Sequence, residues 1–123
     1  YRLDDGTLTV VSASAPTHQT AACWVAVSGD GKFAYVTDAG SNAISAYRIG
    51  KDDGLTLLNP DGRAATTGAT PIDMAFSRDG RYLYSLNAGG RSISAFAIQA
   101  DGSLMPIAEL TGLGAGMAGL AGR

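Results

Sequence analysis

An internal repeat is the feature that most constrains the fold of this chain. When the sequence is shifted by 49 residues, residues 24–49 align with residues 73–98 without a gap, and 11 of these 26 positions are identical. A third, partial copy comes first, because Tyr-Arg-Leu at residue 1 and Asp-Gly at residue 5 match Tyr-Arg-Ile at residue 47 and Asp-Gly at residue 53. A period of this length indicates a supersecondary unit that stacks on its neighbours.

Each copy predicts four short strands separated by tight turns. In the last full copy the predicted strands cover residues 72–77, 82–87, 92–98 and 104–110. Asp79-Gly80 and Asp101-Gly102 lie between strands, where a hairpin turn needs residues that tolerate positive φ.

The second strand of the first full copy is apolar on both sides. Alternation places Phe33 and Tyr35 on one side and Ala34 and Val36 on the other. Such a strand must be covered on both faces, which radially stacked blades achieve. We therefore predict an all-β fold made of β-propeller blades.

The strand count predicts about two and a half four-stranded blades. Residues 1–11 would end one blade, residues 16–60 and 68–110 would each form a blade, and residues 111–123 would supply a closing inner strand. Propellers close with about 4–8 blades, so we expect an incomplete ring. Two partners would complete it: the remaining blades of a parent propeller, or other copies of the chain.

Charge and composition argue against several classes of function. The formal net charge is −2 and Lys and Arg are few, whereas nucleic-acid binding relies on clustered cations. No stretch approaches the roughly 18 apolar residues of a membrane-spanning helix, so no membrane insertion is expected. Cys23 is the only cysteine, so the chain has no internal disulfide. A single cysteine does not indicate whether the protein is cytoplasmic or belongs to the cell envelope or the exterior.

The motifs of the repeat resemble a known family. The run Tyr-Val-Thr-Asp-Ala-Gly-Ser-Asn at residues 35–42, together with residues 71–84, is similar to the YVTN-type repeats of seven-bladed lactonase-type propellers. That family includes the propeller-type 6-phosphogluconolactonases and the carboxymuconate lactonising enzymes. The resemblance implies the C-terminal portion of a protein that hydrolyses a lactone of a sugar or muconate-type acid at the channel mouth.

A second function stays open beside it. The resemblance implies a site built from His, Glu and Arg of several blades, with one Arg following the proline that leads into an inner strand. That position is Ile72 here, and its counterpart one repeat earlier is Cys23. The two substitutions favour a non-catalytic propeller that binds a protein or ligand, for example in the cell envelope.

The loops that enter the inner strands, and those between second and third strands, would line one face. His18 is the only histidine, the residue type that most often serves as a general base, so it is the candidate catalytic base. Cys23 has two interpretations. It could form a nucleophilic pair with His18, or it could be a small buried cysteine at the start of a strand. The candidate substrate-binding residues are Gln19, Cys23, Trp24, Asp38, Asn42, Asp73, Asn87 and Arg91.

Several of these candidates also have a structural interpretation. Trp24 could pack between blades, and Asp73 could accept hydrogen bonds from neighbouring loop amides. Asp38, Asn42 and Asn87 flank glycine turns, where turn geometry favours Asp and Asn.

No cofactor is predicted. The glycine run at residues 114–119 matches a dinucleotide-binding fingerprint as text, but only four residues follow it, too few for the helix that the motif requires. No Cys, His and Asp residues have the spacing of metal ligands.

Overall fold

The computed structural model describes residues 1–122, and β-strands are the only regular secondary structure in that range. The strands are β1 (Arg2–Asp4), β2 (Thr7–Thr9), β3 (Ala22–Val27), β4 (Phe33–Asp38), β5 (Ala43–Ile49), β6 (Leu55–Leu57), β7 (Ala65–Thr66), β8 (Pro71–Phe76), β9 (Tyr82–Asn87), β10 (Ser92–Ile98) and β11 (Leu104–Leu110). The predicted all-β class is confirmed. β9, β10 and β11 have the bounds that the repeat predicts, and β8 begins and ends one residue earlier.

The strands form three antiparallel sheets in chain order. β1 and β2 form an N-terminal hairpin, β3 to β7 form the first blade, and β8 to β11 form the second blade. In each blade a strand pairs with the strand that follows it, as expected when short turns join them, except that β7 pairs with β5 and not with β6. The result is a pair of blades in an open ring.

The outer strand of the first blade is broken in two. β6 pairs with residues 47–49 and β7 pairs with residues 43–44, both on β5. Between them the chain turns at Asn59, where the Gly62 amide donates to the Asn59 carbonyl at 2.8 Å. Pro60 has no amide to pair in a sheet. The blade therefore continues to Thr66, past the boundary at residue 60 that the sequence predicted.

The main core lies between the two blades. Phe33, Tyr35 and Ile44 of the first blade pack against a second-blade set made of Met74, Leu83, Phe96 and Leu104. Ala34, Val36 and Tyr47 form a separate cluster on the other face of the first blade. The predicted two-sided strand is confirmed.

A tyrosine and an arginine fasten the first blade to the second. The Tyr35 hydroxyl donates to the Gly102 carbonyl at 2.9 Å, and burial raises the Tyr35 pKa to about 12. Arg48 Nη2 donates to the Asp101 carbonyl at 3.3 Å, and its guanidinium lies 5.1 Å from the centroid of the Phe33 ring. These contacts reach from β4 and β5 to the β10–β11 turn.

The N-terminal hairpin contacts the first blade through an equivalent arginine. Arg2 Nε donates to Asp53 Oδ2 at 2.7 Å, and Arg2 Nη2 donates to the Asp52 carbonyl at 3.0 Å. Arg2 stands where Arg48 stands in the next repeat, and the β5–β6 turn takes the place of the β10–β11 turn. We propose that the hairpin is the outer half of a preceding blade.

Two sheet faces are left open. On β3, Val25 is 59% exposed and Val27 is 52% exposed, although both are apolar. On the far side of the second blade, Leu110 is 60% exposed.

The C-terminal tail lies beside β8 but does not form a strand. The Leu120 amide donates to Asp73 Oδ2 at 2.6 Å, and residues 111–122 have no strand pairing. The predicted closing inner strand needs a second strand to pair with, and residues 1–122 offer none next to it. Arg123, the last residue of the predicted strand, lies outside the described residues.

Candidate functional site

The two ends of the blades have different chemistry. We call the end that carries residues 12–21, 39–42, 67–70 and 88–91 the loop rim, and the end that carries residues 28–32, 50–54, 77–81 and 99–103 the turn rim. Antiparallel pairing places each predicted site residue on the loop rim or in the strands next to it.

Aspartates on the turn rim serve the turns themselves. Asp30 Oδ1 accepts from Ser28 Oγ at 2.7 Å and from the Lys32 amide at 3.1 Å, and Asp79 has the same two contacts one repeat later. The serine hydroxyl is the largest cause that lowers the pKa of each aspartate, to about 2. Asp79 is also ion-paired with Arg81 at 2.6 Å. These carboxylates stay ionised and hydrogen-bonded near neutral pH.

A cleft of about 550 Å³ lies between the two turns of this rim. Its walls are Asp30 and Asp79 with their turns, and Phe33 and Phe76 form its apolar floor. The sequence analysis did not predict it, although the repeated Ser-X-Asp-Gly-Lys/Arg run marks both walls. Two cations line the cleft: Lys32 is ion-paired with Asp30 at 3.2 Å, whereas Arg78 has no ion pair within residues 1–122.

A buried polar cluster lies at the loop-rim end of the second blade. Asn87 Nδ2 donates to Ser92 Oγ at 3.0 Å and to Ser94 Oγ at 2.9 Å. Ser92 Oγ donates to Glu109 Oε1 at 2.7 Å, and the Gly68 amide donates to Ser94 Oγ at 3.2 Å. The cluster holds residues 67–70, which we call the crossing segment because they lead from the first blade to the second. Asn87 therefore has a structural role here.

Asp38 is the first-blade counterpart of Asn87. It is fully buried, and its Oδ2 accepts from Ser45 Oγ at 2.6 Å. Its Oδ1 has no hydrogen-bond partner among residues 1–122. The second blade has serines at the two positions where the first blade has Val36 and Ala43. An unpaired buried polar atom is costly, so Asp38 is the least satisfied member of the predicted set.

Two predicted binding residues link separate parts of the chain. Asn42 Oδ1 accepts from the Thr70 amide at 2.9 Å, which joins the first blade to the crossing segment. Gln19 Nε2 donates to the Asp61 carbonyl at 2.8 Å, and Gln19 Oε1 accepts from Arg63 at 3.2 Å.

Arg91 and Asp73 hold the C-terminal tail. Arg91 Nε donates to the Leu113 carbonyl at 3.1 Å, and the Leu113 amide donates back to the Arg91 carbonyl at 3.0 Å. Asp73 is buried and accepts from the Leu120 amide, which agrees with its structural interpretation.

The backbone of the loop rim is strained at equivalent places in both blades. Ala21 and Thr70 have φ values of 58° and 57°, and Asn42 and Arg91 have values of 52° and 49°. Such values are unusual outside glycine, most of all for a β-branched residue. Strain of this kind is often found at functional sites.

The glycines of these turns are not needed for their backbone conformation. The positive φ falls on Asn42 and Arg91, while Gly40 and Gly89 do not have it. A Cβ on Gly89 would lie 2.6 Å from Thr70 Oγ1, and one on Gly40 would lie 3.0 Å from Thr20 Cγ2. Glycine is needed at both positions because Thr70 and Thr20 approach closely.

His18 and Cys23 do not form a pair. His18 is exposed in the loop before β3, Cys23 is exposed on β3, and no hydrogen bond joins them within residues 1–122. The expectation of a buried cysteine is also wrong, since β3 lies on an open face. Trp24 is 48% exposed, and its amide donates to Thr37 Oγ1 at 3.0 Å.

Residues 1–122 bring no three His, Cys, Asp or Glu side chains together as metal ligands would be. No helix in that range has the length and hydropathy to cross a membrane.

Comparisons with known proteins agree on the architecture. The model of the family described as Lactonase, 7-bladed beta-propeller matches residues 2–118. No curated protein gives a significant sequence match.

Three solved structures illustrate the likeness. A functionally unknown protein from Desulfotomaculum acetoxidans is 24% identical, with a TM-score of 0.68 over 78% of this chain and 29% of that one. The Pseudomonas aeruginosa periplasmic gluconolactonase is 25% identical, with a TM-score of 0.64 over 79% and 28%. A candidate 6-phosphogluconolactonase from Bacteroides fragilis is 20% identical, with a TM-score of 0.66 over 73% and 25%.

The chain thus spans between 25% and 29% of the length of these three structures. Its two blades, their repeat and the family match over residues 2–118 lead to one conclusion. The chain belongs to the seven-bladed lactonase β-propeller family.

Proposed function

We propose that these blades are part of a lactone hydrolase whose site lies at the loop rim and whose substrate is a lactone of a sugar or muconate-type acid. The observation that carries the proposal is the family match over residues 2–118. The similarity to a structure named as a periplasmic gluconolactonase supports it.

The chemistry of the two rims favours the loop rim. Hydrolysis needs a base that activates water and a donor that stabilises the carbonyl oxygen as it gains negative charge. His18 is an exposed imidazole on this rim, and imidazole changes protonation near neutral pH. On the turn rim, Asp30 and Asp79 have pKa values of about 2 and are poor bases.

In the proposed reaction His18 accepts a proton from water while the water oxygen attacks the lactone carbonyl. The ring C–O bond then breaks, and the leaving alkoxide takes the proton back from the imidazolium. Arg91 uses Nε on Leu113, which leaves its other N–H groups to bind an anionic or hydroxyl group of the substrate.

The test is hydrolysis of glucono-1,5-lactone and a muconolactone by the complete polypeptide that carries these blades. We expect His18→Ala to lower kcat/KM by at least roughly 100-fold, the usual contribution of a general base. Ser14→Ala, in the same loop, is the matched control and should keep full activity. Full activity of His18→Ala, or no turnover by the unaltered protein, would contradict the proposal.

The second candidate is a non-catalytic propeller that binds a ligand or protein. It is favoured because both polar atoms of the Gln19 side chain and the Oδ1 of Asn42 are already used in internal hydrogen bonds. Neither Ile72 nor Cys23 can bind an anion as an arginine does. Absence of turnover with both lactones, together with calorimetric binding of gluconate that Arg91→Ala abolishes, would support it.

A further inference from the structure

The cleft on the turn rim lies between the two blades and has no part in the proposed hydrolysis. One wall comes from the turn after β3 and the other from the turn after β8, so this chain supplies both. The cleft volume of about 550 Å³ falls within the range of small-molecule sites in proteins, roughly 300–1,000 Å³. The cleft therefore has room for a ligand of its own.

The aspartates of the two walls are already occupied. Asp30 Oδ2 lies 3.2 Å from Lys32 Nζ, and Asp79 Oδ2 lies 2.6 Å from Arg81 Nε. The Oδ1 atom of each carboxylate accepts from a serine hydroxyl and a backbone amide of its own turn. Because each carboxylate has a cation and hydrogen-bond donors beside it, neither is open to a cationic ligand.

Arg78 carries the surplus charge of the cleft. It is exposed, and within residues 1–122 its guanidinium makes neither an ion pair nor a hydrogen bond. The equivalent residue one repeat earlier is Gly29, in a turn of the same shape, since Gly31 and Gly80 have φ values of 70° and 69°. The turn itself therefore does not need an arginine, and this guanidinium is available to bind an anion.

The floor of the cleft is apolar. Phe33 is buried, Phe76 and Ile98 are partly buried, and all three line the cleft. Such side chains bind an apolar ring by removing it from water. The opposite wall leaves open space at Gly29, where a Cβ would meet no atom within 4 Å. A ligand that matches these features has an apolar ring and an anionic group.

We propose that the turn-rim cleft binds a small aromatic carboxylate, whose carboxylate pairs with Arg78 and whose ring lies on the apolar floor. A guanidinium can donate two parallel N–H bonds to one carboxylate. The carboxylate carries a single negative charge, which the one surplus cation balances, whereas a phosphate monoester carries nearly two. The site lies on the opposite rim from His18 and Arg91, so the proposal is independent of lactone hydrolysis.

The experiment is calorimetric titration of the complete polypeptide with cinnamate. We expect Arg78→Gln to weaken binding roughly tenfold, because it removes a charge-assisted hydrogen bond at an exposed position. Lys51→Gln removes the same charge from another turn of the same rim and should leave the affinity unchanged. Cinnamyl alcohol, which has the ring without the charge, should bind the unaltered protein as weakly as cinnamate binds Arg78→Gln.

Four results would overturn the proposal. The first is the absence of any heat of binding with the unaltered protein. The second is an affinity that Arg78→Gln leaves unchanged. The third is an equal loss in Lys51→Gln, which would mean that cinnamate responds only to the net charge of the protein. The fourth is a loss of binding in Arg91→Gln, which would place the ligand on the loop rim.

Discussion

Asn87 and Asp38 occupy equivalent positions, but their surroundings give the Asn87 amide more hydrogen-bond partners than the Asp38 carboxylate. Asn87 donates to two serines on β10, whereas Asp38 accepts from Ser45 alone. Networks that are fully satisfied make a region rigid. At the residue scale, the loop-rim end of the second blade is therefore held by more side-chain hydrogen bonds than that of the first blade.

The crossing segment depends on the absence of a side chain at Gly68. A Cβ there would lie 2.5 Å from Ser92 Oγ, 2.7 Å from Asn87 Nδ2 and 2.8 Å from Glu109 Oε1. We expect Gly68→Ala to destabilise the protein by about 1–3 kcal/mol, as overpacking does. Denaturant unfolding measures this, and Gly29→Ala, which meets no atom within 4 Å, is the control. Equal stabilities of the two variants would refute the expectation.

The turn at Asp79 predicts a specific acid sensitivity. Its pKa lies at about 2, below the ordinary value of 3.8, chiefly because Ser77 donates to it. A lowered folded-state pKa stabilises the fold above the ordinary value and loses that contribution as pH falls toward 2. We expect Asp79→Asn to flatten the pH dependence of thermal unfolding between about pH 4 and pH 2. Asp5→Asn is the control, and a slope unchanged by Asp79→Asn would exclude this role.

Among the elements, the C-terminal tail has the least support. It is held at Leu113 by Arg91 and at Leu120 by Asp73, without sheet pairing. Segments held by a few hydrogen bonds open locally at low free energy. The tail is therefore an attached segment in this chain, and its proposed role as an inner strand depends on strands that would pair with it.

Removing the Asp73 carboxylate tests this attachment. We expect Asp73→Ala to speed hydrogen exchange of the Leu120 amide roughly tenfold, because that amide loses its acceptor. The amides of β9 and β10 should be unaffected, and Asp61→Ala serves as a control in another turn. Unchanged exchange at Leu120 would show that other contacts hold the tail.

The sequence predicted the strands, but it did not reveal the hydrogen-bond partners of the candidate site residues. Alternation along residues 33–36 placed Phe33 and Tyr35 opposite Ala34 and Val36 correctly, because strand periodicity is local. The roles of Asn42 and Gln19 depend on partners that lie 28 and 42 residues away in the chain. No local pattern reveals such contacts, so these residues looked free for a ligand.

At the scale of the whole molecule, the open faces determine how the chain behaves. Val25, Val27 and Leu110 are about half exposed or more, and apolar patches of this kind mark interaction surfaces. In a complete ring the same side chains would be buried between blades. The chain alone and the complete polypeptide should therefore respond to the same substitution in opposite ways.

Val27→Lys separates the two situations. In the chain alone we expect less self-association, measured by light scattering, because a charge replaces an exposed apolar group on an unpaired face. In the complete polypeptide we expect a loss of about 2–5 kcal/mol in the free energy of unfolding, because the lysine would be buried without a partner. Thr56→Lys, at an exposed position on β6, should change neither quantity. If Val27→Lys is neutral in the complete polypeptide, no blade covers β3, and the N-terminal hairpin does not belong to a preceding blade.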